Sequence, residues 1–163
     1  MAKSLKIIPE RCTGCMQCEL SCSWVQVGAF QPSRSVIRVH IFDELAQYAP
    51  YTCFQCEEAW CMTACPVNAI AINPDTRAKV VLERVCVGCA LCVIACPFGT
   101  IFYNPDTKKA FKCNLCDGDP ACAKACPTGA IEFTEMEGTD WGVGPWAERI
   151  HQNFVEVLAG EER

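Results

Sequence analysis

The sequence predicts an α+β fold: short β-hairpins and short helices in two small lobes, with a C-terminal helical extension. Three observations lead there. Sixteen of the 163 residues are cysteine, gathered into four runs, and ten prolines and ten glycines accompany them. A cysteine–proline, strand, turn and returning-strand unit repeats along the chain. The last thirty residues hold no cysteine but carry an apolar stripe at helical spacing.

The third run is the most regular: Cys86, Cys89, Cys92 and Cys96, followed by Pro97. This is the C-x2-C-x2-C-x3-C-P spacing by which bacterial ferredoxins hold [4Fe–4S] clusters. Three thiolates two residues apart wrap one corner of an iron–sulfur cube and aim backbone N–H groups at its sulfides. Gly88 supplies a position where a left-handed backbone costs little. The fourth cysteine ligates a different cluster, so one such run implies another.

Taken in order, Leu5 to Ile8 reads as a short strand ending at Pro9. The first run is Cys12, Cys15, Cys18 and Cys22, with Gly14 in its wrap and Ser23 where proline is usual. Its helix is therefore expected to continue through Trp24 and Val25 to a C-cap at Gly28. Ser35 to Ile41 alternates as a strand. The second run is Cys53, Cys56, Cys61 and Cys65 before Pro66, with a looped middle gap in which Trp60 either shields a cluster or faces a partner.

After Pro66, Val67–Thr76 is echoed by Phe98–Thr107, each with an Asn-Pro-Asp turn, and a third copy begins at Thr128. The returning strands are Ala78–Leu82 and Ala110–Lys112. The fourth run is Cys113, Cys116, Cys122 and Cys126 before Pro127, again with a longer middle gap. Lys112 precedes it, as Arg11 precedes the first run and Arg84 stands two before Cys86. Such cations either raise the potential of a neighbouring cluster or are solvated loop charges. Glu135–Gly144 reads as a loop. Pro145–Leu158 reads as a helix that covers its own fold or docks a partner subunit.

Other uses of cysteine fit poorly. Zinc ribbons separate two C-x2-C pairs by 12–20 residues and add no third cysteine at the next interval. A disulfide scaffold needs an oxidising compartment. Redox C-x-x-C pairs do not come in four quartets. Four [4Fe–4S] clusters are therefore expected, each on four of the sixteen cysteines. The clusters are expected to serve as much of the core and to couple metal binding to folding.

The absence of an apolar leader or of a long apolar run points to a cytoplasmic chain with no transmembrane segment. The formal charge of −5 gains roughly −8 from four oxidised clusters at about −2 each. That argues against nucleic acid and for protein partners. His40 and His151 stand far apart, no phosphate-binding loop is present, and no catalytic residues are assigned.

Runs two and three are separated by 20 residues that carry one strand–turn–strand unit. They would form an inner ferredoxin-like lobe, residues 53–97, ligating as Cys53, Cys56, Cys61 with Cys96, and Cys86, Cys89, Cys92 with Cys65. Runs one and four would form an outer lobe, residues 1–52 plus 98–133, as Cys12, Cys15, Cys18 with Cys126, and Cys113, Cys116, Cys122 with Cys22. Residues 134–163 would be the extension. Sequential pairing, run one with two and three with four, remains the alternative from spacing alone.

The four runs, with looped second and fourth members, resemble the four-cluster ferredoxin-type electron-transfer subunits of molybdenum- and tungsten-pterin oxidoreductases. The resemblance covers residues 5 to about 133 and implies the nested ligation. The overall pattern is most similar to the small subunit of bacterial tungsten-dependent aldehyde oxidoreductases. It implies an electron wire without a catalytic site of its own, serving a pterin-metal subunit and a redox partner such as a flavin/NAD-reducing subunit. Copies could also stack end to end. Other expectations are a free polyferredoxin, a formate dehydrogenase- or hydrogenase-type subunit, and a cluster-delivery factor.

Overall fold

The computed structural model describes residues 2–42 and 46–136. The expected helix over 145–158, His151 and the rest of the extension lie outside the described residues. Four two-stranded antiparallel sheets, four α-helices and short 3-10 turns are found among the described residues. In order they are β1 (Ala2–Ile7), α1 (Gln17–Val27), β2 (Arg38–Phe42), β3 (Gln47–Tyr51), α2 (Trp60–Thr63) and β4 (Ile70–Ile72). Then follow β5 (Lys79–Val81), α3 (Leu91–Ala95), β6 (Ile101–Asn104), β7 (Lys109–Lys112), α4 (Ala121–Lys124) and β8 (Ile131–Met136). Among the described residues no helix is long and apolar enough to cross a membrane.

The Asn-Pro-Asp units form hairpins as expected. β4 pairs with β5 and β6 with β7, the latter in register Ile101 with Lys112 and Phe102 with Phe111. Asn73 and Asn104 hold the two turns alike. Each side-chain oxygen accepts from the backbone N–H two residues on, at 2.9 Å from Asp75 and 3.0 Å from Asp106. The strand of the third copy, β8, pairs with β1 along Ala2–Met136 to Ile7–Ile131. That pairing draws β8 through Met136, into the stretch expected to be loop.

The strand expected from Ser35 begins only at Arg38. The Ser35 hydroxyl donates to the Ile37 carbonyl at 2.7 Å and accepts from the Ile37 N–H at 3.2 Å, curling the chain before it can extend. β2 then pairs with β3, which the sequence reading did not pick out. Glu19 ties this hairpin to α1: its carboxylate accepts from the Val39 N–H at 2.6 Å.

Large side chains do not fill the interior. Ile37 and Leu115 are the only large apolar ones under 2% exposed among the described residues. Cys18, Cys22, Cys53, Cys86, Cys92, Cys113 and Cys122 are buried with them. Two apolar clusters result. One gathers Leu5, Ile37, Leu115 and Ile131 around the first and fourth runs, together with Cys53. The other gathers Ala69, Ile70, Ile101 and Ala110 around the third run and its neighbours. The β6–β7 hairpin serves both: Ile101 and Ala110 pack into the second cluster, Phe102 and Phe111 against the first, as strand alternation dictates.

α1 continues past Cys22 to a left-handed Gly28 at φ 69°, whose N–H reaches the Trp24 carbonyl at 2.8 Å. Ser23 explains why proline is missing there. It is fully buried, and its hydroxyl donates to the Leu20 carbonyl at 2.8 Å and accepts from the Gln31 N–H at 3.1 Å. Ser23→Pro, which restores the usual residue after a fourth cysteine, should therefore destabilise this protein by about 3 kcal/mol or more. Anaerobic thermal unfolding of the cluster-loaded variant against wild type measures it; an unchanged midpoint would refute this account of Ser23.

Candidate iron–sulfur centres

The sixteen cysteines form no disulfides. In each run the residue two after the first cysteine is left-handed: Gly14 at φ 69°, Gln55 at 53°, Gly88 at 75° and Leu115 at 58°. This kink turns the chain around a corner and points consecutive N–H groups inward. In the second, third and fourth runs the residue three after the last cysteine is left-handed too: Asn68, Gly99 and Gly129. It folds the chain back so that the Ala69 N–H lies 3.2 Å from the Cys65 sulfur, and the Ala130 N–H 3.2 Å from that of Cys126. Hydroxyls join them, with Thr100 Oγ1 3.5 Å from the Cys96 sulfur. Donors of this kind stabilise thiolate ligands.

Two cavities are lined by four cysteines each. One is bordered by Cys53, Cys56, Cys61 and Cys96, with Gln55, Trp60, Lys79 and Lys112. The other is bordered by Cys65, Cys86, Cys89 and Cys92, with Val67, Ile70 and Val87. In both, three thiols of one run meet the last cysteine of the other, and the β4–β5 hairpin between the runs brings them there. A larger cavity of about 470 Å³, lined by Gln26, Arg34, Asn104 and Lys109 among others, has no cysteine among its described lining residues. It shares Lys112 with the first of these cavities and Val81 and Ala110 with the second.

The first and fourth runs approach each other through the β1–β8 pairing. Cys12 leaves β1 and Cys126 precedes β8, and the Ile8 N–H reaches the Ala130 carbonyl at 2.8 Å. Burial pushes the Cys12 thiol pKa up, and Cys126 and Cys15 add to the rise. Burial likewise raises Cys116, with Cys22 among the groups that add to it. Cys126 lies below the ordinary range: burial opposes the thiolate, but the Thr128 hydroxyl and the N–H groups of Thr128, Ala130 and Ile131 outweigh it.

Burial raises Cys92, and Cys86, Cys61 and Cys65 add to it. Burial takes Cys113 to about 12, with Cys53 and Cys22 also raising it. Cys122 is raised chiefly by burial, with Cys113, Cys22, Cys116 and Cys18 contributing. Cys15 and Cys89 are the exposed cysteines. Among the described residues no three histidine, cysteine or acidic side chains are gathered as a single ion would need. The four-cysteine cavities instead suit a larger group, and their all-thiol donor set fits an iron–sulfur cube.

A profile described as "4Fe-4S dicluster domain" matches residues 45–136, and one described as "4Fe-4S binding domain" matches residues 9–28. The chain belongs to the 4Fe–4S dicluster family. Family membership and the sixteen cysteines establish four [4Fe–4S] clusters as its cofactors. The chain is 40% identical over 121 residues to the polyferredoxin-like subunit of an aliphatic sulfonate oxidoreductase from Pyrococcus furiosus, covering 74% of this chain and 69% of that one. It is 32% identical over 156 residues to the beta subunit of the NADH-dependent phenylglyoxylate dehydrogenase of Aromatoleum evansii, 93% of this chain but only 34% of that subunit's length. Among solved structures, the BamBC active-site complex of benzoyl coenzyme A reductase gives 25% identity and a TM-score of 0.47 over 99% of this chain and 98% of that one. The family's electron-transfer subunits of oxidoreductases are thus what this protein resembles in sequence.

His40 lies on β2, as expected, beside the Tyr51 ring at 5.1 Å. Burial lowers its pKa. Trp60 borders the second-run cavity beside Phe98 yet is 51% exposed, so it both lines the site and faces outward. The left-handed Gln55 and Leu115 were legible only by laying the runs over one another, since glycine marks that position in the first and third runs alone.

The third-run wrap is the tightest. A Cβ on Gly88 would sit 2.1 Å from the Lys108 carbonyl oxygen, whereas one on Gly99 meets nothing within 4 Å. Gly88→Ala should cost about 3 kcal/mol and lower the iron content, from backbone strain plus displacement of the β6–β7 turn. Gly99→Ala should cost about 1 kcal/mol. Anaerobic melting and iron assay compare the two; equal losses would contradict the close approach at Gly88.

Proposed function

We propose that this chain is a four-cluster electron wire within an oxidoreductase complex, its clusters held by nested ligation. The observation that carries the reading is the pair of four-cysteine cavities, each drawing three thiols from one run and one from the other. In the same scheme Cys12, Cys15 and Cys18 hold a cluster with Cys126, and Cys113, Cys116 and Cys122 hold one with Cys22. The couplings of Cys12 to Cys126 and of Cys116 to Cys22 support those sets.

The cysteine neighbours also supply an order. Cys61 and Cys65 pack against the group of Cys86 and Cys92, Cys53 shares the other group with Cys113, Cys122 and Cys18, and Gln55 of the second run bonds the Cys113 carbonyl. The row therefore runs from third to second to fourth to first run. The two exposed cysteines, Cys89 and Cys15, then fall in the end positions, where partners can approach. The bound clusters supply one-electron chemistry. The chain holds them in line, excludes water with small apolar side chains, and sets their surroundings with N–H groups and charge.

The catalytic chemistry belongs, in this reading, to a larger subunit with a tungsten- or molybdenum-pterin centre, aldehyde oxidation being the reaction that the sequence resemblance suggests. A flavin/NAD-reducing subunit would stand at the other end. The matched relatives, a polyferredoxin-like oxidoreductase subunit and a subunit of an NADH-dependent dehydrogenase, support an electron-carrying subunit over a free-standing enzyme.

The protein purified without air should carry about sixteen irons and as many sulfides, with visible absorption bleached by dithionite. Cys65→Ala and Cys89→Ala should abolish the same low-temperature EPR signal, and Cys56→Ala a different one. If Cys65→Ala instead removes the signal lost in Cys56→Ala, the nested ligation is wrong.

A further inference from the structure

Resting on that cluster reading, we propose that Lys112, held by Gln55 and Lys79, is a fixed buried cation that raises the reduction potential of the second-run cluster above that of its neighbours. Of the three basic residues that stand before cysteine runs, only this one has left the surface. Arg11 is 53% exposed and pairs with Glu132 at 2.8 Å, and Arg84 is exposed. Lys112 is 5% exposed. Strand register sets it opposite Ile101 on β6, and both side chains line the cavity of Cys53, Cys56, Cys61 and Cys96.

Its ammonium donates to the Lys79 carbonyl at 2.5 Å and lies 3.4 Å from Gln55 Oε1. Both acceptors are neutral, and among the described residues no carboxylate pairs with Lys112 or Lys79. An ammonium buried without an anion is costly. Lys112 also borders the larger cavity with Glu83 and Asp117, but neither forms an ion pair with it. The four thiolates that share its other cavity, with the group they hold, are the negative charge that offsets it. Reduction adds one more negative charge there, and a nearby cation in a low-dielectric site stabilises that state.

The surrounding bonds fix the charge in place. Gln55 is buried in a left-handed conformation. Its Oε1 accepts from the Lys79 N–H at 2.8 Å, its carbonyl accepts from Lys79 Nζ at 2.9 Å, and its Nε2 donates to the Cys113 carbonyl at 2.8 Å. One side chain thus joins the second run to the fourth, where the row crosses between the two cysteine pairs. Lys112 precedes Cys113 and shares the lining of its cavity with Cys61. The fourth-run cluster should feel the same cation more weakly.

The test is an EPR-monitored redox titration of the anaerobically loaded chain, with the second-run signal identified as the one missing in Cys56→Ala. In Lys112→Met that signal's midpoint should fall by at least a tenfold change in the reduction equilibrium, 59 mV for one electron. The fourth-run midpoint should fall less, the other two should hold, and Lys112→Arg should stay near wild type. An unchanged second-run midpoint, or an equal shift of all four, overturns the proposal. If Lys112→Met loads fewer than sixteen irons, Gln55→Glu decides. It sets a carboxylate against the ammonium and should also lower the second-run midpoint. No shift there, or failure to load, makes the role of Lys112 structural and sinks the proposal. Wild type without iron and sulfide would instead strike the cluster reading beneath it.

Discussion

Everything in this fold follows from one constraint: a cube needs four thiolates, and a single run can turn only three of its own toward one corner. The fourth must come from elsewhere in the chain. A short return suffices for the inner pair, and the β4–β5 hairpin supplies it. For the outer pair the proposed ligation asks Cys12 and Cys126 to meet across more than a hundred residues, and the β1–β8 sheet draws the segments next to them together. Closing so long a loop is entropically costly. Six residue pairs of sheet offer little against that cost unless ligand bonds join in. Folding and cluster loading are on this view one event.

The same constraint explains an interior built from small and moderate side chains. Ala69, Ala78, Ala110 and Ala130 are almost fully buried, where an ordinary domain of this size would place leucine or phenylalanine. Small residues let backbone N–H groups come close to the sulfurs, which a large side chain would prevent. Aromatic residues stand at the margins instead. Phe54 meets Phe98 edge-on at 4.6 Å, and Trp60 lies beyond it. They keep water from the site without occupying it.

Much of this was legible in the sequence because ligand spacing is a stricter code than hydrophobic periodicity. The four runs, the two Asn-Pro-Asp hairpins and the Gly28 cap need only local chemistry, and local chemistry is written in adjacent residues. What was hidden depends on distant partners. β3 has proline at position 50 and no clean alternation, and it exists because β2 lies beside it. The strand start at Arg38 depends on a hydroxyl bond at Ser35. Lys112 looked like Arg11 and Arg84, since nothing beside it in the chain tells that Ile101 opposite and Gln55 above would enclose it.

Gln55 is the mark that this arrangement leaves in the sequence. Its backbone has the shape that Gly14 and Gly88 adopt, at a cost of about 1 kcal/mol that glycine avoids. A glycine there would relieve the strain but would have no side-chain amide. The amide does three things at once: it accepts from the Lys79 backbone, lies against Lys112, and holds the Cys113 carbonyl. A side chain kept where glycine is conformationally cheaper marks a place where the side chain is needed. In the second run it is needed because Lys79 and Lys112 both border the cavity that Gln55 lines.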